Sequence, residues 1–355
     1  MKTSPINRRK FLGTGLTAAA SLATVSGISA IKGEDLSISG YKSPASHPFN
    51  AKTATSMPTR SFGKTGFKVG VLSLGGQATI EQEGTEEESE KIINRARDLG
   101  INYIDTAAAY GGGVSQRHIG RVMKTRRNEV FLSTKTHDRS YDGSMRLLEE
   151  SLNSLQTDHL DMWQLHNVQR ASDLEKIFAD DGALKALLKA KEEGMVRFLG
   201  ITGHYEPMVL LEAIKRFPFD GILLAINAAD IHYLSFKNYL LPEAQKREMA
   251  IIGMKVATRG RMLSTWTPPP IDDQPARMAT KKPGTITIKE ALEYNMSMPV
   301  STTIIGIDNV AQIEEDVQIA SEFSPLSSDE LAAIEYKTLP IVRQGLYFRR
   351  WDLGA

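Results

Sequence analysis

Short apolar runs alternate with amphipathic segments along most of this chain. The runs are rich in β-branched residues and almost continuously hydrophobic, which is typical of strands buried on both faces of a parallel sheet. The pattern predicts eight strands, each followed by a helix-forming segment. The predicted strands are Val69–Gly75, Ile101–Thr106, Val130–Thr134, His159–Leu165, Val196–Thr202, Gly221–Asn227, Ile251–Ala257 and Thr302–Ile307.

The segments between the runs carry helix signals. Apolar residues recur at helical spacing, for example from Val310 to Ala320. Thr85 and Glu88 have the spacing of a capping box. Eight strand–helix units over roughly 250 residues predict a (β/α)8 TIM barrel, an α/β fold. A doubly wound sheet is the alternative, but it rarely needs eight units, and no early Gly-x-Gly-x-x-Gly motif follows the first run.

Two segments lie outside the eight units. Arg60–Lys68 is predicted to form an N-terminal hairpin with a Lys-Thr-Gly turn, which can plug the barrel floor. Residues 328–355 are predicted to form an extra C-terminal helix, capped by Ser328, and a tail of aromatic and basic residues. Such a tail can lie beside the barrel mouth.

Residues 1–30 have the features of an export signal. Arg8 and Arg9 precede a mildly apolar stretch rich in Ala, Gly, Ser and Thr, with small residues near position 30. The arginine pair followed by Phe11-Leu12 resembles a twin-arginine (Tat) signal. We therefore expect the Tat export machinery as a partner and a periplasmic or otherwise exported protein. Residues 31–56 are predicted to be a linker, and residues 57–355 the barrel domain.

A retained membrane anchor is the alternative interpretation of this N-terminal stretch. The stretch is short and rich in small polar residues, so it would span a bilayer poorly. Cleavage is favoured, and no stable membrane span is expected in the mature form.

Composition narrows the chemistry. The net charge of +1 on 355 residues provides no global field for nucleic acid, so no nucleic-acid partner is expected. The chain has no cysteine. Disulfides, thiolate nucleophiles, cysteine-ligated zinc and iron–sulfur clusters are therefore excluded.

Four polar residues fall at or just after the ends of predicted strands: Asp105, Tyr110, Lys135 and His166. Parallel α/β proteins gather their chemistry at the carboxyl edge of the sheet, so these side chains are expected in one site. An ammonium beside a phenol lowers its pKa, and Lys135 is the candidate neighbour of Tyr110. Asp105 can hold Lys135, and His166 can orient a substrate oxygen. Each residue alone is more often structural, but four together favour catalysis.

Such a site, with a proton donor and no metal, suits carbonyl reduction. No side chain supplies a hydride, so a nicotinamide is implied. Gly111–Gly113 is a weak match to a phosphate loop, and its expected role is to turn the backbone so that Tyr110 points into the mouth. His137 is interpreted as structural, and His204 as a possible cofactor or substrate neighbour.

Several segments together closely resemble the aldo-keto reductases. They are Asn102–Ala107 with Tyr110-Gly111, residues 115–120 (SQRHIG), Ser133–Lys135, residues 60–66 (RSFGKTG) and Asp161–His166. The resemblance runs from about residue 57 to about residue 323 and is highly specific in combination. It implies that Tyr110 is the general acid/base, that Asp105 and Lys135 tune it, and that His166 orients the carbonyl of a small carbonyl/alcohol substrate.

The resemblance also implies NADP or NAD as the cofactor. Thr202-Gly203 stands where the family usually has Ser-Asn, and Leu223 stands at its usual Gln position. The segment Gly306–Asp316 is acidic where NADP-preferring members carry Lys and Arg, so NADP is placed only narrowly ahead of NAD. The implied cofactor-binding residues are Gly76, Thr202, Gly203, Asn227, Lys255, Gly306, Gln312 and Asp316.

Two other functions remain open from sequence. One is a catalytically silent nucleotide-binding subunit or interaction module on the same barrel, which the intact four residues disfavour. The other is a metal-dependent hydrolase, which would need clustered ligands such as His-x-His after the first strand. Gly75-Gly76-Gln77 stands there instead, so no metal site is predicted.

Overall fold

The structure is a computed structural model and describes residues 46–351. Within this range a two-stranded antiparallel hairpin precedes eight parallel strands that close into a barrel. The predicted (β/α)8 fold is confirmed. The hairpin strands are β1 (Thr59–Ser61) and β2 (Lys68–Gly70). The barrel strands are β3 (Leu72–Ala78), β4 (Tyr103–Asp105), β5 (Phe131–Thr136), β6 (Leu160–Leu165), β7 (Val196–Gly203), β8 (Gly221–Ala225), β9 (Ala250–Met254) and β10 (Thr302–Ile307).

Helices surround the barrel and connect successive strands. In chain order they are α1 (Thr53–Ser56), α2 (Glu86–Asp98), α3 (Val114–Arg126), α4 (Tyr141–Ser154), α5 (Ala171–Ile177), α6 (Ala183–Glu192), α7 (Pro207–Arg216), α8 (Phe236–Tyr239), α9 (Leu241–Lys246), α10 (Ile288–Ser297), α11 (Val310–Ser321), α12 (Ser328–Thr338) and α13 (Val342–Gly345). Short 3-10 turns cover Thr79–Glu81, Tyr110–Gly113, Arg127–Glu129, Asp230–His232, Ile271–Asp273, Ala276–Met278 and Leu339–Ile341.

The hairpin closes one end of the barrel. The Phe62 ring lies in the inner apolar cluster, with its centroid 5.0 Å from Phe131 and 5.3 Å from Tyr103. Phe67 from the same turn lies 4.9 Å from Phe131. Rings of this size fill the barrel axis below the strand ends, so the predicted floor plug is present. A second apolar layer packs the strands against the helices.

The first predicted strand divides between two elements. Val69 belongs to the hairpin, where it pairs with Arg60, and the barrel strand begins only at Leu72. The backbone N–H of Val71 between them donates to the carbonyl of Pro58 at 3.0 Å. The apolar run is continuous through this change of partner, so hydrophobicity alone did not reveal it.

Two predicted helix caps differ from the structure. Thr85 does precede α2, but its hydroxyl donates to the carbonyl of Thr79 at 2.7 Å, so the capping box with Glu88 does not form. Helix α12 is capped by Ser327, one residue before the predicted Ser328. The Ser327 hydroxyl accepts from the N–H of Glu330, whose carboxylate accepts the N–H of Ser327 at 2.7 Å.

The packed chain begins before the predicted boundary at residue 57. The Phe49 N–H donates to the carbonyl of Asn128 at 2.8 Å, and Thr53 Oγ1 donates to the carbonyl of Gly100 at 2.7 Å. Residues 46–56, predicted as linker, therefore pack on the barrel. The predicted signal at residues 1–30 and most of the linker lie outside the described residues. Between residues 46 and 351, no helix is long and apolar enough to cross a bilayer.

The C-terminal tail lies at the barrel mouth. The guanidinium of Arg349 is fully buried and forms an ion pair with Asp230, also fully buried. It also donates to the carbonyls of His204, at 2.7 Å, and Ala225, at 2.9 Å, which follow β7 and end β8. The ion pair and these two contacts fix the tail against the strand ends, although Arg349 Nε has no hydrogen-bond partner among residues 46–351.

Candidate active site

Asp105 and Lys135 meet inside the barrel mouth. Asp105 ends β4 and Lys135 is the fifth residue of β5, and both side chains are buried. The ammonium forms an ion pair with the Asp105 carboxylate and donates to the carbonyl of Thr106 at 2.6 Å. Its Nζ lies 3.4 Å from the phenol oxygen of Tyr110. The neighbouring strands thus bring three of the four predicted residues together.

A glycine turn positions Tyr110. Its N–H donates to the carbonyl of Ala107 at 3.1 Å, and Gly111 follows with a φ of 56°. A Cβ on Gly111 would lie 2.1 Å from the carbonyl oxygen of Glu81. Only glycine therefore fits both the left-handed conformation and the space, as expected for this segment.

His166 completes the cluster. It directly follows β6, and its ring centroid lies 5.7 Å from that of Tyr110 in an edge-to-face arrangement. Its Nδ1 is buried and has no hydrogen-bond partner among residues 46–351. Burial, followed by the nearby charge of Lys135, lowers the pKa of His166 well below its usual value. The imidazole is therefore neutral near pH 7 and can form a hydrogen bond with a substrate oxygen.

The electrostatics of Tyr110 differ from the sequence expectation. Burial raises the pKa of the Tyr110 phenol well above its usual value, and the Asp105 and Glu81 carboxylates add to that shift. Burial also lowers the pKa of Lys135, against the attraction of Asp105. The Asp105 carboxylate neutralises the ammonium that was expected to favour a phenolate. Tyr110 is therefore a protonated donor at neutral pH in this structure.

Sequence analysis missed two residues that support the carboxylate of Asp105. Gln164 Nε2 donates to Asp105 Oδ2 at 3.0 Å and to Ser133 Oγ at 2.7 Å. The phenol of Tyr103 donates to the same Asp105 oxygen at 3.3 Å. Gln164 precedes His166 by two positions, so a polar residue on the inward face of a buried strand was the available signal.

Comparison with known proteins agrees with this geometry. The model of the Aldo/keto reductase family matches residues 68–338. The chain belongs to the aldo/keto reductase family. It is 27% identical over 309 residues to L-galactose dehydrogenase of Arabidopsis thaliana, covering 80% of this chain and 95% of that protein.

Solved structures of the family share the fold. The holo form of an aldo-keto reductase from Bacillus halodurans is 25% identical, with a TM-score of 0.64 over 79% of this chain and 96% of the other. A Klebsiella pneumoniae aldo-keto reductase in complex with NADPH is 22% identical, with a TM-score of 0.62 over 79% and 94% of the two chains. Aldo-keto reductases use NADH or NADPH, so a dinucleotide site is implied for this chain.

Four of those residues have structural partners of their own. A Cβ on Gly76 would lie 2.6 Å from Ser115 Oγ, and one on Gly203 would lie 2.8 Å from the carbonyl of Val168. Thr202 Oγ1 accepts the N–H of Asn167 at 2.8 Å. Asn227 Nδ2 donates to the carbonyl of Lys255 at 3.1 Å and to Gly345. These residues shape the mouth of the aldo-keto reductase barrel.

Of the other four, Lys255 directly follows β9, Gly306 lies in β10, and Gln312 and Asp316 lie on helix α11. Lys255 Nζ donates to Gln77 Oε1 at 3.1 Å, and burial lowers the pKa of Lys255 to about 8. Gln312 is half-buried, and its Oε1 accepts the N–H of Asp308 at 2.8 Å. Asp316 is only 3% exposed, and burial raises its pKa to about 7. Gly306 ends the regular pairing of β10 with β3.

The residues on this side fit a dinucleotide. Lys255, Thr258, Arg259 and Gly260 all have positive φ, so the backbone of the loop after β9 turns tightly at the barrel mouth. The exposed guanidinium of Arg259, which sequence analysis missed, is paired with Glu81 at 2.9 Å. Leu223, which stands where the family usually has Gln, is buried in the inner apolar cluster. The chain therefore has one polar side chain fewer at this position than is usual in the family. No cluster of metal-ligating side chains occurs among residues 46–351.

A cavity of about 560 Å³ opens beside His166. Its wall comes from the loops that follow β5 and β6, and most of its side chains are polar. The lining residues are Ala109, His137, Arg139, His166, Asn167, Gln169, Arg170 and Asp173. His137 is exposed and lines this cavity, and its interpretation as a structural residue stays a prediction. His204 is partly buried, its Nδ1–H donates to Asn167 Oδ1 at 2.9 Å, and its ring centroid lies 5.8 Å from that of Phe348.

Proposed function

We propose that this chain interconverts an aldehyde or ketone and the corresponding alcohol, with Tyr110 as the general acid/base. The observation that carries the proposal is the position of the Tyr110 phenol, 3.4 Å from Lys135 Nζ and beside the His166 ring, at the mouth of an aldo-keto reductase barrel. The identity to L-galactose dehydrogenase supports a sugar-like substrate.

A nicotinamide, when bound, would supply the hydride for carbonyl reduction or accept it in alcohol oxidation. Tyr110 donates its proton to the carbonyl oxygen, because its raised pKa keeps it protonated at neutral pH. The neutral His166 donates a hydrogen bond to the same oxygen and orients it. As the proton leaves, the Lys135 ammonium stabilises the phenolate, and Asp105 holds that ammonium in place. The reverse sequence oxidises the alcohol.

Lys255 and the loop that follows it would hold the phosphates of the dinucleotide, with Thr202 near the nicotinamide. Gln312 and Asp316 would face the adenosine end. The acidic residues near Gln312 disfavour a 2′-phosphate. The activity test described below therefore uses both NADH and NADPH.

A catalytically silent nucleotide-binding module is the second candidate. Gly203 and Leu223 favour it, because neither provides the side-chain amide that the family usually places near the carboxamide. The complete cluster of Asp105, Tyr110, Lys135 and His166 favours the enzyme more strongly.

We also propose that the protein is exported through the Tat route and acts in the periplasm. Arg8-Arg9 followed by Phe11-Leu12 and the small-residue stretch to Ala30 support this proposal. Expression of the full chain with fractionation of the cells tests it. Protein that stays in the cytoplasm, with residues 1–30 intact, would contradict it.

Oxidation of NADH or NADPH with a panel of aldehydes and ketones, followed at the reduced-nicotinamide absorbance band, tests the activity. We expect turnover with sugar-like carbonyls. Tight nucleotide binding without turnover of any member would support the silent module, and absence of both would contradict the two candidates together.

A further inference from the structure

The cavity beside His166 has a strongly polar wall. It lies above β5 and β6, whereas the residues expected to bind the dinucleotide phosphates lie after β9 and in or after β10, across the barrel. Ala109 is the only apolar residue of its lining. A volume of about 560 Å³ is ample for a compound of monosaccharide size. This side of the mouth is therefore built for a polar substrate.

The charges in the wall are mainly positive. Arg139 and Arg170 contribute two guanidinium groups, and Asp173 contributes the only carboxylate of the lining. That carboxylate is already engaged, because it accepts the N–H groups of Gln169 at 2.8 Å and Arg170 at 3.1 Å and lies 3.5 Å from Arg139 Nε. Asp173 thus caps α5 and balances one arginine, and the charge of the second is left for a ligand.

The guanidinium of Arg139 is fixed by hydrogen bonds, and one of its nitrogen donors has no partner in the part of the chain that the structure describes. Its Nη2 donates to the carbonyls of His166, at 2.8 Å, and Asn167, at 3.2 Å, so the guanidinium is tied to the residue beside the reacting carbonyl. Its Nη1 is buried and has no hydrogen-bond partner among residues 46–351. Buried charged donors are normally paired, so a ligand oxygen is the partner that this geometry calls for.

Arg170 stands at the rim of the same cavity. It is exposed, and its guanidinium lies 5.9 Å from the centre of the Tyr205 ring. It forms no ion pair with another residue in the range 46–351. Stacking on an aromatic face orients a guanidinium while leaving its N–H edge free for an oxyanion.

We propose that the substrate carries a carboxylate, which Arg139 and Arg170 bind while its carbonyl or alcohol carbon lies between Tyr110 and His166. The substrate class is an oxo- or hydroxy-acid of sugar size, such as a sugar acid. This inference rests on the proposed oxidoreductase function and adds a charge requirement to it.

Matched pairs of probes, a carboxylate and its neutral ester or amide, test the proposal. The pairs are 4-carboxybenzaldehyde with its methyl ester, and D-glucuronate with D-glucuronamide. We expect kcat/KM to be at least about tenfold higher for the acid of each pair, as for a charge-assisted contact. Arg170→Gln should raise KM for the acids about tenfold, with little change in kcat, and leave the neutral members unchanged. Raising the salt concentration toward 1 M should weaken only the acids.

Arg216→Gln is the matched control, since it removes an arginine charge from the outer end of α7. It should leave both members of each pair unchanged. Arg139→Lys keeps the charge but loses the two-pronged geometry and should affect the acids in the same direction as Arg170→Gln. If Arg139→Lys does not fold, Arg170→Gln and the salt series decide the question.

Calorimetric titration of benzoate and benzamide into the protein provides a readout without turnover. Preferential binding of benzoate that is lost in Arg170→Gln would support the carboxylate site even if no carbonyl of the panel is reduced, a result that would count against the proposed function alone. Equal kcat/KM for acid and neutral probes, or equal binding of benzoate and benzamide, would overturn the inference and leave carbonyl reduction standing.

Discussion

The ammonium of Lys135 lies 3.4 Å from the phenol oxygen of Tyr110 and is at the same time ion-paired with Asp105. The same ammonium therefore interacts with the Asp105 carboxylate and with the Tyr110 phenol oxygen, and its interaction with the carboxylate is the stronger of the two. The phenol remains protonated until a proton leaves it, when the ammonium becomes the nearest positive charge. The Tyr110 phenol is therefore expected to lose its proton readily only when a substrate oxygen is present to accept it.

Tyr110→Phe removes the proton donor and retains the ring. Turnover should fall by at least ~10²-fold, the usual range for a positioned acid, while the dissociation constant of the nucleotide changes little. Steady-state kinetics and fluorescence titration measure the two effects. Tyr239→Phe, which removes an exposed phenol, is the control. Turnover near that of the unmodified protein would assign the acid to another residue.

Lys135→Met removes the ammonium and leaves the Asp105 carboxylate facing the phenol. The pKa of Tyr110 should rise further, because the negative charge disfavours the phenolate. Alcohol oxidation needs the phenolate as base, so its pH–rate profile should move to higher pH. Lys189→Met on the surface of α6 should leave the profile in place. An unmoved profile for Lys135→Met would limit Lys135 to a structural role.

Gln312→Arg tests which residues face the 2′-phosphate. A guanidinium at this half-buried position should strengthen NADP(H) binding relative to NAD(H), by about 1–3 kcal/mol for a well-placed pair. The ratio of the two dissociation constants is the measurement. Gln318→Arg makes the same substitution further along α11 and should not change the ratio. An unchanged ratio for both would place the phosphate against another loop.

Asp316→Asn should stabilise the fold in a pH-dependent manner. The pKa of this buried carboxyl is raised to about 7, above its value in the unfolded chain. The folded state therefore loses stability as the pH rises from about 4 to about 7, and the full loss persists above pH 7. The substitution should raise the free energy of unfolding by about 2–4 kcal/mol at pH 8 and by less at pH 5.

Urea denaturation at the two pH values measures this difference. Asp272→Asn, at an exposed position in the loop after β9, is the control and should show little gain at either pH. If Asp316→Asn raised the free energy of unfolding equally at both pH values, titration of the Asp316 carboxyl would not be the cause of the gain.

The proposed export of the folded protein through the Tat route predicts that the cofactor is exported bound to the protein. The loop at residues 259–284 is tied to the tail, since Gln344 Nε2 donates to the carbonyl of Lys282 at 3.1 Å and the Arg261 guanidinium lies between the Trp266 and Tyr347 rings. Long loops at a barrel mouth often close over ligands. Protein purified from the periplasm should contain close to one nucleotide per chain and show ping-pong kinetics. Empty protein with ordered sequential kinetics would refute carried cofactor.

The strands and the catalytic cluster could be predicted because their signals are local. Asp105, Lys135 and His166 each end a buried run, and the carboxyl ends of parallel strands must meet. The division of Val69 from Leu72 depends on pairing with Arg60 and could not be seen in hydrophobicity. Thr85 likewise has the spacing of a cap, but a carbonyl six residues earlier competes successfully for its hydroxyl.

The cavity was beyond prediction for a different reason. Arg139 and Arg170 belong to separate loops, and neither has a distinctive sequence context. Only the contacts of Arg139 with the carbonyls of His166 and Asn167 bring the two guanidinium groups to one wall. The lowered pKa of Lys255 also depends on burial that no local pattern reveals.

The aromatic column along the barrel axis joins the floor hairpin to the chemistry above it. Phe62 contacts Tyr103, and the phenol of Tyr103 donates to the Asp105 carboxylate that holds Lys135. Enzyme engineers commonly exchange the mouth loops of such barrels to change specificity and treat the opposite end as inert scaffold. Here the hairpin end supports the charge network, so the hairpin has to be kept intact together with the mouth residues that carry the chemistry when other loop positions are varied.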